Sequence, residues 1–420
     1  MKWLLLDSVD EEQLSKLQSD PRVRAVGPNV VVEQDWTDNL STLGFPGRWA
    51  LDQLDQHTLI DPYGGGTPSW SYYQNTGSVH IYMVDSGVDG NHSGFSGRLG
   101  NGWGWSGVTQ QGYVSLDPYV PCNGHGTIAA GVAAGSQTGV ARQAIIHSVR
   151  LDNAPFNCNA VSNRLIEGLN WIRNNRILPA VANINTSYGC AGIEGTCQAI
   201  EAAVQDLMNA GVTVTVSAGN NAYNACNDAP GRLAGVITVG ASNQFASKQS
   251  SSSYGPCVAV FAPGENVATT ILGGTIGNQH GTSVAAPLAA GVAALIRAEG
   301  FTAVREIIVT SATANALSNL GSGSPNRLLY SIHTSVNMFG PGWISSSGYY
   351  TWTAQPIGGT DTKTLTWYKS WNGSTWFWVG SGNEWTSYID LADPSFLVRV
   401  VLQTGIDTIN YDQQVLVSGS

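Results

Sequence analysis

The chain has 420 residues, a formal charge of −10, only 11% charged residues, 42% hydrophobic residues and 50 glycines. That length predicts two or three units rather than one. The acidic balance, with no Lys/Arg cluster, excludes nucleic acid as a partner, and no apolar run approaches the length of a membrane span.

In chain order, residues 1–34 read as a small separate unit. Glu11 to Leu17 is a short helical stretch ended by Asp20-Pro21, and Val23 to Val32 reads as one or two strands broken at Gly27-Pro28. Residues 35–78 read as a connection rich in Gly, Pro, Asp and Trp, without a strong period. From Ser78, short β-branched runs recur: Val79–Val84, Ala144–Val149, Val181–Ile184, Val212–Val216, Val236–Val239 and Val258–Phe261. Helical segments fall between them at Ile128–Ala134, Arg164–Asn174 and Gln198–Ala210, the last followed by Gly211 as a C-cap. Continuous apolar strands alternating with helices predict a mostly parallel sheet covered on both faces, a three-layer α/β/α arrangement with its chemistry at the carboxyl ends of the strands. After about Thr334 the pattern becomes short alternating runs, as in Thr364–Tyr368, Trp376–Val379 and Phe396–Leu402, with turns such as Asn372-Gly373. This segment predicts an Ig-like β-sandwich. It holds half of the chain's 14 Trp, which either fill a small core or, where exposed, present a surface for carbohydrate or protein.

Four motifs stand at predicted strand ends or helix starts. Val84-Asp85-Ser86-Gly87 puts a carboxylate just past an apolar strand. Asn123-Gly124-His125-Gly126-Thr127 puts a histidine between glycines at the start of a helix. Ser217-Ala218-Gly219-Asn220 follows another apolar strand. Gly281-Thr282-Ser283 leads into an alanine-rich helix, where unpaired N–H groups and the helix dipole favour a developing negative charge. Pro287 is expected in the first turn of that helix, where a missing N–H costs least. Each motif alone has a bland reading: an aspartate capping a turn, a polar histidine, an asparagine in a loop, an N-cap serine. Together they supply an orienting carboxylate (Asp85), a general base (His125), a nucleophile (Ser283) and an oxyanion donor (Asn220).

Cys122, Cys158, Cys190, Cys197, Cys226 and Cys257 fit neither a zinc ribbon nor a CxxC redox motif. Disulfides formed in an oxidising compartment account for them most simply, with fifteen pairings open. Met1–Leu6 is too short for an export signal, so the signal expected of a secreted protein is not present in this chain.

The order Asp, His, Ser and the stretches VDSG, NGHGT, SAGN, GTSVAAP and GSGSPNRLLY resemble the subtilisin-like serine peptidases, closest to the proteinase K-like branch that includes aqualysin. The resemblance covers about residues 41–335. It implies a secreted endopeptidase that cleaves proteins or peptides through an acyl-enzyme, expected to be a monomer. Residues 1–40 then look like the later part of an inhibitory propeptide, with cleavage near Gln34–Trp49 and the β-sandwich at 336–420. The stretch Asn185-Thr186-Ser187-Tyr188-Gly189 stands where the family has a pocket wall of Ser-Leu-Gly-Gly. The implied substrate-binding set is Ser187, Tyr188, Gly189, Ser217, Ala218 and Gly219. A Cys190–Cys197 bridge directly after this wall would stiffen it by a loop-entropy contribution of about 2–3 kcal/mol. The resemblance implies Cys226–Cys257, and a Cys122–Cys158 bridge, which would clamp the segment before His125, is expected beside it.

Departures from the family pattern are Ile128, Val284 and Leu288, where His, Met and His are usual; packing behind the site is expected to change, shifting the rate rather than abolishing it. The branch often binds calcium through an aspartate at the position of Ala259, so none is expected there. Asp228 and other loop carboxylates stay open as an alternative, and no cofactor or metal is expected to be required. The competing reading is a catalytically silent binding protein on a peptidase scaffold, with the Trp-rich C-terminal module as its working part. An α/β-hydrolase is a poor fit, because Ser283 lacks a Gly-x-Ser-x-Gly elbow.

Overall fold

Strands rich in Val, Ile and Ala organise the larger part of the chain, because they are apolar on both faces and must be covered on both. The computed structural model describes residues 36–39, 49–57, 59, 69–72, 76–109, 112–152, 158, 160, 162–331 and, with short breaks, 335–417. The elements expected within residues 1–34 lie outside the described residues. The chain divides into a compact unit over 33–332 and another containing 333–420.

In the first unit, β1 (Trp36–Asn39) pairs antiparallel with β2 (Ser69–Tyr72). Between them lies α1 (Trp49–Leu54), whose Ala50, Leu51 and Leu54 are buried in the core. The expected featureless connection therefore contains a helix. At six residues it was too short to show a period. Next come β3 (His80–Asp85), β4 (Trp103–Gly104), a hairpin of β5 (Ser106–Thr109) and β6 (Gly112–Ser115), α2 (His125–Ala134), β7 (Ile145–Arg150), α3 (Ser162–Asn175), β8 (Ala180–Ile184), β9 (Tyr188–Gly189), α4 (Glu194–Asn209), β10 (Val212–Ser217), β11 (Asp228–Ala229), β12 (Ile237–Ser242), β13 (Val260–Pro263), a hairpin of β14 (Val267–Ile271) and β15 (Thr275–Gln279), α5 (Thr282–Ala298), α6 (Val304–Ser311), β16 (Thr313–Ala314) and β17 (Arg327–Leu328).

The main sheet runs β16-β17-β13-β12-β10-β8-β3-β7-β4. Every neighbouring pair is parallel except β16 with β17 at one edge. Strand β8 is buried at all five positions and β12 at all six, as strands covered on both faces require. One face carries α2 and α5 in a single core with Ile81, Met83, Val181 and Val239. The other carries α3 and α4 with Tyr82, Val84, Ala182, Val214 and Val216. Alternation of side chains along each strand thus feeds two separate cores, giving three layers. At one end of β3 and β7, His80 Nδ1 lies 2.8 Å from His147 Nε2, and the His147 ring stacks on Tyr82. Burial pushes His147 down to about 4, so this pair is held neutral.

The second unit has a three-stranded sheet, β18 (Ser335–Phe339), β20 (Gly348–Ile357) and β23 (Glu384–Ile389) in that order. Its five-stranded sheet runs β19 (Trp343–Ile344), β25 (Thr408–Val417), β24 (Phe396–Gln403), β21 (Thr364–Ser370) and β22 (Phe377–Ser381). Phe396, Val398 and Val400 point inward alternately and share a core with Trp352, Trp367 and Trp385. The tryptophans are divided between roles. Those three fill the core, whereas Trp371 and Trp378 are exposed.

Helices α2 and α5 meet without room for a side chain: a Cβ on Gly291 would stand 2.5 Å from Val140 Cβ and 2.9 Å from the Ala133 carbonyl oxygen. Gly291→Val is therefore expected to cost about 1–3 kcal/mol through overpacking. Thermal unfolding should show a lowered midpoint, and an unchanged midpoint would mean that the helices can part freely.

Candidate active site

Strand β3 lies between β8 and β7, where the order of strands in the sheet reverses direction, and its last residue is Asp85. The Asp85 side chain is only 4% exposed. His125 is the first residue of α2, and the next residue is what lets it approach. A Cβ on Gly126 would stand 2.3 Å from the Gly87 carbonyl oxygen and 3.2 Å from Asp85 Cβ. His125 Nδ1 consequently lies 2.7 Å and 2.9 Å from Asp85 Oδ1 and Oδ2. A carboxylate only accepts, so Nδ1 carries the proton, and in the neutral ring Nε2 is left as the free base. A local network fixes both partners. The Ser86 N–H donates to Asp85 Oδ1 at 2.7 Å, the Ser86 hydroxyl donates to Asn123 Oδ1 at 2.6 Å, and Asn123 Oδ1 also accepts from the His125 N–H. The Asp85 charge raises the His125 pKa above its ordinary 6.5, against the opposing effect of burial.

His125 faces a cleft of about 380 Å³ lined by Asp85, Asp152, Asn185, Ser187 and Tyr188 among others. Asn185 connects this cleft to Ser283. Ser283 is the second residue of α5, and Pro287 stands four residues further on. The expectation for Pro287 needs correcting: it is the sixth helical residue, past the positions whose N–H groups lack an acceptor in any case. A residue with an N–H there would donate to the Ser283 carbonyl. The Asn185 side chain supplies the missing donor, with Nδ2 at 3.1 Å from the Ser283 carbonyl oxygen. The Ser283 hydroxyl makes no hydrogen bond among the described residues. The structure thus joins Asp85 to His125 directly and ties Ser283 to the cleft wall through Asn185.

Asn220 follows β10, and its orientation is fixed by hydrogen-bond logic. Its Oδ1 accepts from the Thr282 N–H at 2.8 Å and the Thr282 hydroxyl at 3.1 Å. Nδ2 must then point the other way and is left as a donor beside the start of α5. Gly281 adopts φ +116°, in the left-handed region, and a Cβ there would meet Asn220 Nδ2 at 3.3 Å. The Thr282 hydroxyl also accepts from the Gly219 N–H at 3.2 Å.

Ser217 and Ala218 are buried at the end of β10. Ser187 lines the cleft, and Tyr188 packs against Cys190, Cys197 and Ala229 as well as lining it. Burial pushes the Tyr188 phenol upward, with the Thr186 side chain acting the other way. Strand β9 pairs antiparallel with β11, Gly189 opposite Asp228 and Tyr188 opposite Ala229. The disulfides join Cys122 to Cys158, Cys190 to Cys197 and Cys226 to Cys257. Ile128 is partly buried, Val284 and Leu288 are buried beneath the site, and Ala259 is a buried core residue. Among the described residues, no three His, Cys, Asp or Glu side chains gather as a metal site, and no helix is long and apolar enough to cross a membrane. Sequence reasoning missed Asn185 and Thr282 as supports. Pro287, four residues after a serine, was the available signal for the first.

The family model described as the Subtilase family matches residues 77–331. An extracellular serine proteinase of Thermus sp. (strain Rt41A) is 36% identical over 330 residues, 77% of this chain and 74% of that protein. Alkaline serine exoprotease A of Vibrio alginolyticus is 33% identical over 332 residues, 77% of this chain and 58% of that protein. Among solved structures, a cold-adapted subtilisin-like serine proteinase is similar with a TM-score of 0.58 and 32% identity, covering 68% of this chain and 98% of its own.

Asn185→Ala would leave the Ser283 carbonyl without its donor. We expect a stability loss of about 1–3 kcal/mol in thermal unfolding, together with a fall in kcat. The raised His125 pKa fixes a pH dependence. The ionised Asp85–His125 pair stabilises the fold fully below the ordinary 6.5, and that contribution is lost as pH rises through the higher folded value. A base function needs the neutral ring, so kcat/KM should rise with pH with its midpoint above 6.5, and Asp85→Asn should move that midpoint down. A profile flat from about pH 5 to 9 would remove His125 from that role.

Proposed function

The chain belongs to the subtilase family and is a serine endopeptidase, and from that premise we propose that Asp85, His125 and Ser283 are its catalytic triad. The observation that carries this reading is His125 Nδ1 held by both oxygens of buried Asp85, in a cleft whose Asn185 also holds Ser283. His125 Nε2 takes the Ser283 hydroxyl proton as Oγ attacks the scissile carbonyl carbon, and Asp85 stabilises the imidazolium that forms. The carbonyl oxygen, now negative, receives the Asn220 Nδ2–H and the Ser283 backbone N–H. Loss of one such donor typically costs roughly 3–4 kcal/mol of transition-state stabilisation. Collapse of the tetrahedral intermediate expels the amine, which takes the proton back from His125 and leaves an acyl-enzyme at Ser283. Water, deprotonated by the same imidazole, then releases the acid and restores the hydroxyl.

Ser187, Tyr188 and Gly189 on one side, with Ser217, Ala218 and Gly219 on the other, form the pocket for the residue before the cut. We further propose that the chain is secreted, which three disulfides and the extracellular relative support. Residues 1–40 serve as its own inhibitory propeptide. The C-terminal unit serves as an accessory module, with exposed Trp371 and Trp378 available for a carbohydrate or protein ligand. No metal step enters the chemistry.

A fluorophosphonate probe should label the purified enzyme at Ser283, and Ser283→Ala should lose both the label and peptide hydrolysis. An enzyme that stays unlabelled and leaves every peptide intact would instead favour a silent binding protein on this scaffold.

A further inference from the structure

Among the described residues, Asp228 is a buried carboxylate that the triad does not use. Asp228 is 2% exposed, and its Oδ1 has no hydrogen-bond partner. Its Oδ2 accepts from the Tyr223 hydroxyl, so only half of the carboxylate is satisfied. No cation pairs with it among the described residues. The nearest basic residue in sequence, Arg232, is committed to Glu194 and Glu201, with its Nε 2.5 Å from Glu201 Oε1. A buried carboxylate without a counter-charge or a full set of donors is costly to keep in a fold. Such a group calls for a ligand that completes it.

Its position says which ligand. Asp228 stands directly opposite Gly189 in the short ladder of β9 with β11. Oδ1 lies 3.7 Å from the point where a Gly189 Cβ would stand, and Oδ2 lies 3.8 Å from the corresponding point on Gly219. These glycines belong to the two segments assigned above as the walls of the pocket for the residue before the cut. Neither carries a side chain to cover the carboxylate, and Gly219 is held at φ +97°, where a side chain is disfavoured. A second buried atom without a partner, Ser253 Oγ, lies 3.2 Å from the same Gly219 point. The Cys226–Cys257 bridge anchors the chain two residues before Asp228, and Cys190–Cys197 anchors it directly after Gly189. The carboxylate is therefore fixed in place by covalent links on both of its strands.

We propose that Asp228 is the floor of the specificity pocket and selects a cationic side chain, lysine or arginine, in the residue before the scissile bond. This inference rests on the peptidase reading and deepens it. The donors of an ammonium or guanidinium group supply both what Oδ1 lacks and the opposite charge, with Ser253 Oγ as a further acceptor. An apolar or acidic side chain in the same place leaves the carboxylate uncompensated, and charge at the base of such a pocket is a strong discriminator.

The test uses the full mature enzyme and a series of peptides with a fluorogenic leaving group, identical except for Arg, Lys, Leu, Phe or Glu before the cut. kcat/KM for Arg or Lys is expected to exceed that for Leu and Phe by at least about tenfold. In Asp228→Asn the ratio of Arg to Leu should fall at least about tenfold, with fluorophosphonate labelling reporting the fraction of folded enzyme. Benzamidine, a guanidinium-like cation, should inhibit the unaltered enzyme competitively, which keeps the question open to measurement if the variant fails to fold. Efficient cleavage after Leu or Phe with no preference for basic residues and no inhibition by benzamidine would overturn the role of Asp228 and leave the peptidase reading standing. Failure to cleave any of the peptides, with no labelling of Ser283, would overturn both.

Discussion

The site depends on one buried carboxylate holding one imidazole. Asp85 ends a strand that is covered on both faces and is itself buried. An anion there is tolerated because it is met by the His125 ring and the Ser86 N–H. The same contacts fix the tautomer of the ring and raise its proton affinity. One short set of interactions therefore orients the His125 imidazole, raises the pH at which it becomes neutral and offsets the burial of Asp85.

Around this pair the scaffold works by close approach. Gly126 lets the start of α2 sit against the turn after β3, and Gly291 lets α5 lie against α2. The two helices that carry His125 and Ser283 are thereby packed into a single core with the sheet. At the start of α5, two backbone groups find side-chain partners that follow other strands. The Thr282 N–H finds Asn220, and the Ser283 carbonyl, deprived of a donor by Pro287, finds Asn185. β3, β8 and β10 are neighbouring parallel strands, so their carboxyl ends lie side by side and make those repairs available.

The departures from the family pattern act through packing. Val284 and Leu288 fill the core beneath Ser283 with apolar groups, and Ala259 does the same beside β12. Tyr188 both packs on the Cys190–Cys197 loop and lines the cleft. Ala259 carries no carboxylate, whereas Asp228 keeps one buried beside Gly189 and Gly219.

What the sequence by itself determined was whatever local chemistry and period can carry. Apolar strands alternating with helices dictated the layered sheet, because a strand that is apolar on both faces has to be covered on both. The residue types in VDSG, NGHGT, SAGN and GTSVAAP marked Asp85, His125, Asn220 and Ser283 as candidates before any distance was known. α1 escaped, because six residues are too few to establish a helical period. What only the tertiary structure decided were relations between groups far apart in the chain. Asn185 and Ser283 are 98 residues apart, and their hydrogen bond exists because the carboxyl end of β8 meets the start of α5. The packing of Tyr188 on the disulfide loop and the half-satisfied state of Asp228 are likewise set by neighbours that no spacing along the chain encodes, since burial and partnership are properties of three-dimensional packing.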